Sequence, residues 1–207
     1  MSRPAKNPKI RINEIIETAE PLFYSKGYTQ TTIADIVNSM GVAPGTIYYY
    51  FKSKDAILDA IVNKHVNIFS EQIQLIADAR DISSHEKLQK IIRKLFSSVR
   101  HTNNKLLFEF LHNNDTLHML HRIELQSKLL LLEPLCKIIK EGIDEQIFTN
   151  GNPTVLANII LALLYSLIVG IYHKFAPDIF SAQLLLTEQL IKQALGSKQD
   201  LRIYITG

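Results

Sequence analysis

Three consecutive tyrosines, Tyr48, Tyr49 and Tyr50, stand beside Gly45, Thr46, Lys52 and Lys54, with Thr31 and Thr32 a short way upstream. Hydroxyls hydrogen-bond phosphate oxygens and base edges, and aromatic rings lie against a thymine methyl or a sugar. Ammonium groups neutralise phosphates. Gly45 has no side chain, so the backbone there can come close to a base. This is the chemistry of a nucleic-acid reader. Spacing decides what is presented. Ile47 and Phe51 are four apart and share one helix face, which predicts that they turn inward. Thr46, Tyr48, Tyr49 and Tyr50 then include the groups left to face outward.

The elements that must hold these residues are legible around them. Thr31 and Thr32 can cap a helix start, and Thr32 with Asp35 has the spacing of a capping box. Ile33, Ile36, Val37 and Met40 recur at helical spacing, so residues 32–40 predict a short amphipathic helix. Gly41 stops it, Val42 tethers the turn, and Pro44 suits the first position of a second helix running to about Phe51. Two short helices joined by a tight glycine turn form a helix-turn-helix. Ser53 can cap the helix that follows.

The run Gly41-Val-Ala-Pro-Gly-Thr-Ile-Tyr-Tyr-Tyr-Phe-Lys-Ser-Lys-Asp-Ala-Ile-Leu58 resembles the DNA-binding signature of the TetR/AcrR family of bacterial transcriptional regulators. Residues 19–28 and 31–36 fall where that family has its first and second helices. The resemblance covers about the first quarter of the chain. It implies that Gly45 and Tyr48 reach base edges, and that Thr31, Thr46, Tyr49 and Lys54 hold phosphates. Tyr50 stands where histidine or tyrosine is common. Ala43 and Pro44 stand where a serine and a polar or basic residue are frequent, so the reading helix starts with fewer donors. The resemblance further implies a homodimer on a palindromic double-stranded operator, released by a small effector in the larger domain, with repression the family default.

Charge placement agrees. The net charge is only +3, yet residues 1–54 carry seven basic side chains against four acidic ones, and the remainder is balanced. All the excess positive charge lies with the helix-turn-helix, as binding to a polyanion requires. Glycine and proline are few and strand-like alternation is nearly absent, which predicts an all-α protein of about nine helices. The expected division is residues 1–52 for DNA binding and 53–207 for effector binding and dimerisation. Cys136 is the single cysteine, so no internal disulfide can form, and the N-terminal residues are polar and basic with no apolar run behind them. Both features predict a cytoplasmic protein.

Along the chain, Asn7-Pro8 opens a first helix that ends at Gly27, with a kink expected at Pro21. A long helix is expected from Ser53 to about Ala79, then one from Ser83 or Ser84 to near His101 and a short one over 106–111. Another is expected over about 116–146, with an interruption possible at Pro134. Asn152-Pro153 opens a run to Tyr172 that is apolar nearly all round and just long enough for a membrane span. Asn158 and Ser166 and the lack of a flanking basic cluster argue against one. Such a helix must be buried on every side, so one face is expected to meet its own core and the other a second subunit. With a last helix over 181–195, it predicts a dimer interface of two helices per subunit. Residues 197–207 read as a loose tail.

Other chemistry is thin. His112, Asp115, His118 and His121 could in principle ligate a zinc-like ion, which would make the protein a metal- or histidine-dependent sensor, but their spacing is loose and a histidine-bearing surface is the plainer reading. No metal or other cofactor is therefore expected. No nucleophile elbow or glycine-rich phosphate loop is present, and an enzyme is not expected. The effector is expected to be largely apolar and to lie near Phe69, Phe96, Phe110 and Tyr165.

Overall fold

The computed structural model describes residues 7–100, 117–149 and 151–203. Among them the regular elements are all helical: α1 Pro8–Lys26, α2 Ile33–Met40, α3 Pro44–Tyr50, α4 Lys54–Asp78, α5 Ser84–Arg100, α6 Leu117–Asp144, α7 Pro153–Tyr172 and α8 Pro177–Leu195. The short helix expected over 106–111 lies outside the described residues, as do His112 and Asp115. Two compact units divide the chain, and the division falls within α4 and α6.

The smaller unit contains α1, α2, α3, the first half of α4 and the beginning of α6. Asn7 caps α1 by accepting from the Lys9 amide at 3.0 Å, with Pro8 at the first helical position. The helix runs on through Pro21, since the buried residues Ala19 and Phe23 on either side hold it in the core. Ile15, Ile16, Ala19 and Phe23 of α1 meet Ile36 and Val37 of α2, Ile47 of α3, and Ile57, Leu58 and Ile61 of α4. Two polar contacts brace α1 against α4: Lys64 to Glu17 at 4.0 Å and His65 to Glu20 at 2.5 Å.

The larger unit is built on α5, the body of α6, α7, α8 and the second half of α4. Ser83, not Ser84, caps α5, through a reciprocal box with Glu86. The helix α6 runs without interruption through Pro134, where Leu131, Leu135, Ile138 and Ile139 are buried along one face. Burial of that face offsets the one hydrogen bond the proline removes. Asn152 caps α7 by accepting from the amides of Thr154 and Val155.

Two expectations are corrected here. The last helix starts at Pro177, a full turn before residue 181, because proline suits a first helical position even though Ala176 offers no capping side chain. Residues 197–203 are not a loose tail but a strap laid on the larger unit. Leu201 and Ile203 are each 4% exposed and belong to the main core. The Gln89 side-chain amide pairs with both the amide and the carbonyl of Arg202, Glu188 accepts from the Ile203 amide at 2.6 Å, and Lys192 pairs with Asp200.

Candidate nucleic-acid interface

The Thr32–Asp35 box forms as the spacing predicts. Thr32 Oγ1 accepts from the Asp35 amide at 3.1 Å, and Asp35 Oδ2 accepts from the Thr32 amide at 2.7 Å. Lys26 adds an ion pair to the same carboxylate at 2.8 Å. That hydrogen bond, with those from Thr32, holds the Asp35 carboxyl well below the usual carboxylate range. The start of α2 is thus fixed to the end of α1.

Gly41 ends α2 in the left-handed conformation, at φ 61°, which a residue without Cβ adopts at no steric cost. The chain reverses there, and the Val42 amide donates to the Val37 carbonyl. Pro44 then starts α3. Ile47 is fully buried and Phe51 nearly so, as their shared face requires. This anchoring leaves Tyr48 51% and Tyr49 74% exposed. Tyr50 is half-buried, and its ring meets that of Tyr49 edge-on with centroids 4.8 Å apart. Gly45 is exposed, with nothing within 4 Å of where a Cβ would stand. Thr32 and Lys52 are also exposed and Thr46 is half-buried, so α3 presents two tyrosine rings, a hydroxyl and bare backbone on one side.

Two of the expected phosphate contacts have side chains otherwise engaged. Thr31 is fully buried, and its hydroxyl donates to the carbonyls of Gly27 at 2.7 Å and Leu22 at 3.2 Å. Lys54 directs its ammonium at the carbonyls of Tyr28, Thr31 and Thr29, at 2.7, 3.0 and 3.3 Å. Burial pushes the Lys54 pKa down, against the raising effect of Asp55. Tyr28 donates its hydroxyl to Asp55, and burial with that bond pushes the phenol upward. No local pattern marks the Tyr28–Lys54–Asp55 group in the sequence, because Tyr28 lies more than 25 residues before the other two.

Of the expected effector contacts, Phe96 is fully buried and Phe69 half-buried in the larger unit, while Tyr165 is 40% exposed on α7. Phe110 lies outside the described residues.

The helical fold and the helix-turn-helix at its start define the class, and comparison with known proteins agrees. Residues 15–61 match the family of bacterial regulatory proteins, tetR family. The fatty acid metabolism regulator protein of Bacillus subtilis is 36% identical over 93 residues, covering 44% of this chain and 46% of that one. A solved transcriptional regulator of the TetR/AcrR family from Thermobifida fusca is 26% identical, with a TM-score of 0.61 over 92% of this chain and 99% of that one. SmeT, the repressor of the Stenotrophomonas maltophilia multidrug efflux pump SmeDEF, has been solved with triclosan. That complex shares the fold at 16% identity, with a TM-score of 0.67 over 96% and 98% of the two chains. The N-terminal part of the chain is thus similar to the DNA-binding domain of the TetR/AcrR family, and the chain shares its fold with solved members of that family. The chain spans about half the length of the curated relatives it matches.

Proposed function

We propose that this chain is a dimeric, cytoplasmic, sequence-specific regulator of transcription, a repressor that reads a palindromic operator through α3 and leaves it when a small apolar effector binds the larger unit. The observation that carries the reading is α3 itself. Seven residues are anchored by Ile47 and Phe51, and Tyr48 and Tyr49 stand out from them into solvent. Two adjacent aromatic rings exposed on a packed helix suit contact with a partner, and the basic excess of the same segment points to a polyanion.

Pairing is supported by the outer face of α7 and α8. Val155, Ile159, Ala162 and Ser166 make an exposed row on α7, while Ile179, Leu186 and Leu190 do so on α8. The opposite side of α7, with Ala157, Ile160, Leu164 and Leu167, is in the core. The segment Pro153–Ile171 is long and apolar enough to cross a membrane by length and composition. We assign its exposed row to a second copy of the chain, with Tyr165 at the edge of that row. Two-fold pairing must set the reading helices about 34–36 Å apart, or a multiple of it, to enter successive major grooves on one side of a duplex.

Binding of a small effector is carried over from SmeT, solved with triclosan, and is assigned to the surroundings of Phe69 and Phe96, while release from DNA is what the family resemblance implies. An effector that favours a conformation with the reading helices wrongly spaced needs a coupling of only about 1–3 kcal/mol to lower DNA affinity about 5–150-fold. The test is selection of bound duplexes from a random pool, with sedimentation of the chain alone and of Leu186→Glu. The expected results are an enriched palindrome, a wild-type dimer, and a Leu186→Glu monomer of weakened affinity. A monomeric wild type that enriches no duplex in dilute buffer would end this reading.

A further inference from the structure

A lysine at the first position of a helix meets the positive end of the helix dipole, where a cation is disfavoured. Lys54 opens α4 and is nonetheless half-buried. Its acceptors account for this. An ammonium has three N–H donors, and the carbonyls of Tyr28, Thr29 and Thr31 receive them. The same nitrogen lies 4.2 Å from the centroid of the Tyr28 ring, within cation–π range. Tyr28 is held a second time, by its hydroxyl on Asp55. The turn between α1 and α2 is therefore fastened to α4 through three carbonyls, a ring face and a phenol.

That turn sets where α2 begins. The Thr31 amide donates to the carbonyls of Gly27 and Tyr28, and the next residue, Thr32, is the cap of α2. The orientation of α2 in turn fixes α3 through the Gly41 turn and the buried trio Ile36, Val37 and Ile47. Without the cation, the carbonyls of Tyr28, Thr29 and Thr31 would each lose a charged donor, and the turn would lose three of its ties to α4.

We propose that Lys54 is a positioning residue: it supports DNA binding by pinning the Tyr28–Thr31 turn, and so the start of α2, and not by contacting a phosphate. The proposal rests on the DNA-reading function above and departs from the role that family resemblance implies for this lysine.

The test takes the full chain as wild type, Lys54→Met and Lys54→Arg. It measures affinity for the selected palindrome as a function of salt, and amide hydrogen exchange at Thr31 and Thr32 without DNA. Loss of hydrogen bonds from a charged donor predicts exchange at both amides faster by about tenfold in Lys54→Met, with affinity lower by a similar factor. The salt slope should stay at the wild-type value, because no phosphate contact is removed. A slope shallower by about one overturns the proposal, since that is the signature of a lost phosphate contact. Unchanged exchange at Thr31 and Thr32 overturns it too. Should Lys54→Met fail to fold, Lys54→Arg decides. A planar guanidinium keeps the charge but cannot bring three donors from one atom onto these carbonyls. Positioning therefore predicts faster exchange and weaker binding in Lys54→Arg, whereas a phosphate role predicts wild-type values for both. The exchange measurement needs no DNA, so it judges the clamp even if the wild type binds no duplex and the DNA-reading function falls.

Discussion

The ammonium of Lys87 lies 2.6 Å from Glu141 Oε2 and 3.2 Å from the carbonyl oxygen of Ala77, and the lysine is 5% exposed. Ala77 is in the last turn of α4, where carbonyls have no partner within their own helix. One buried cation therefore closes the end of α4 and ties it to α5 and α6. The neighbouring Asp78 is joined to Lys137 of α6. The larger unit thus grips α4 at its C-terminus by charge, in addition to the packing of Ile73 and Ala77.

Removing that cation should cost more than an ordinary surface ion pair. Breaking a buried pair costs about 3–5 kcal/mol, and Glu141 keeps partial access to water, so about 2–3 kcal/mol is expected for Lys87→Met. The measurement is the urea midpoint at neutral pH. The double variant Lys87→Met with Glu141→Leu should recover part of the loss, because no charge is then left without its partner. A single variant within about 0.5 kcal/mol of wild type would show that the buried ammonium contributes nothing net.

Gly142 should reject a methyl group, reversing the usual rule for helices. Glycine to alanine inside a helix ordinarily stabilises by about 1 kcal/mol. At Gly142 a Cβ would stand 2.1 and 2.4 Å from ring carbons of Phe148 and 2.8 Å from Ser84 Oγ. Phe148 is 4% exposed and cannot swing out without leaving the core. Overpacking of this kind costs about 1–3 kcal/mol. Thermal unfolding of Gly142→Ala should show a lower Tm than wild type, and a higher one would mean that Phe148 has room to yield.

The order of the helices was readable because their signals are local. Thr32 and Asp35 are three residues apart, Ile33 to Met40 repeat at helical spacing, and Asn7-Pro8 and Asn152-Pro153 place a cap before a proline. What stayed hidden depends on distance in the chain. Lys54 at the foot of α4 reads as a phosphate contact, because its acceptors lie 23–26 positions earlier and no local pattern marks them. Leu201 and Ile203 follow the polar Lys198, Gln199 and Asp200, so the segment read as a tail. What receives it includes Gln89, more than a hundred residues away, and Glu188 on α8, which no local pattern links to it. Pro177 carries no clear start signal, because Ala176 before it is no capping residue. The outward stance of Tyr48 and Tyr49 could be read from Ile47 and Phe51, the inward stance of Thr31 could not.

Acid should loosen the start of α2 through Asp35. Its carboxyl pKa is depressed by the hydrogen bond from Lys26 first, and then by those from Thr32. A depressed folded-state pKa contributes stability that is fully present above the ordinary carboxylate range, and that is lost as pH falls through the folded value. Asp35→Asn lacks this contribution at every pH. The Tm gap between wild type and Asp35→Asn should therefore be widest near neutral pH and narrow below about pH 4. A gap of equal size at acid and neutral pH would assign the effect of the variant to something other than the charge of Asp35.

Gly45 offers the sharpest separation between folding and reading. Nothing lies within 4 Å of the position a Cβ would take there, and the backbone carries no left-handed strain. Gly45→Ala should therefore leave the fold intact and raise its stability by up to about 1 kcal/mol, since alanine is the better helix former. If α3 enters a groove with this part of its backbone against a base edge, the same methyl group must collide with the DNA. The expected outcome is a variant with a Tm at or above that of wild type and at least about tenfold weaker binding to the selected palindrome, a loss of about 1.4 kcal/mol. Tyr48→Phe, which keeps the ring and removes only the hydroxyl, is the companion variant and should bind more tightly than Tyr48→Ala. Wild-type affinity in Gly45→Ala would show that this face of α3 stays clear of the bases, and base discrimination would then have to come from Tyr48, Tyr49 and Thr46 alone.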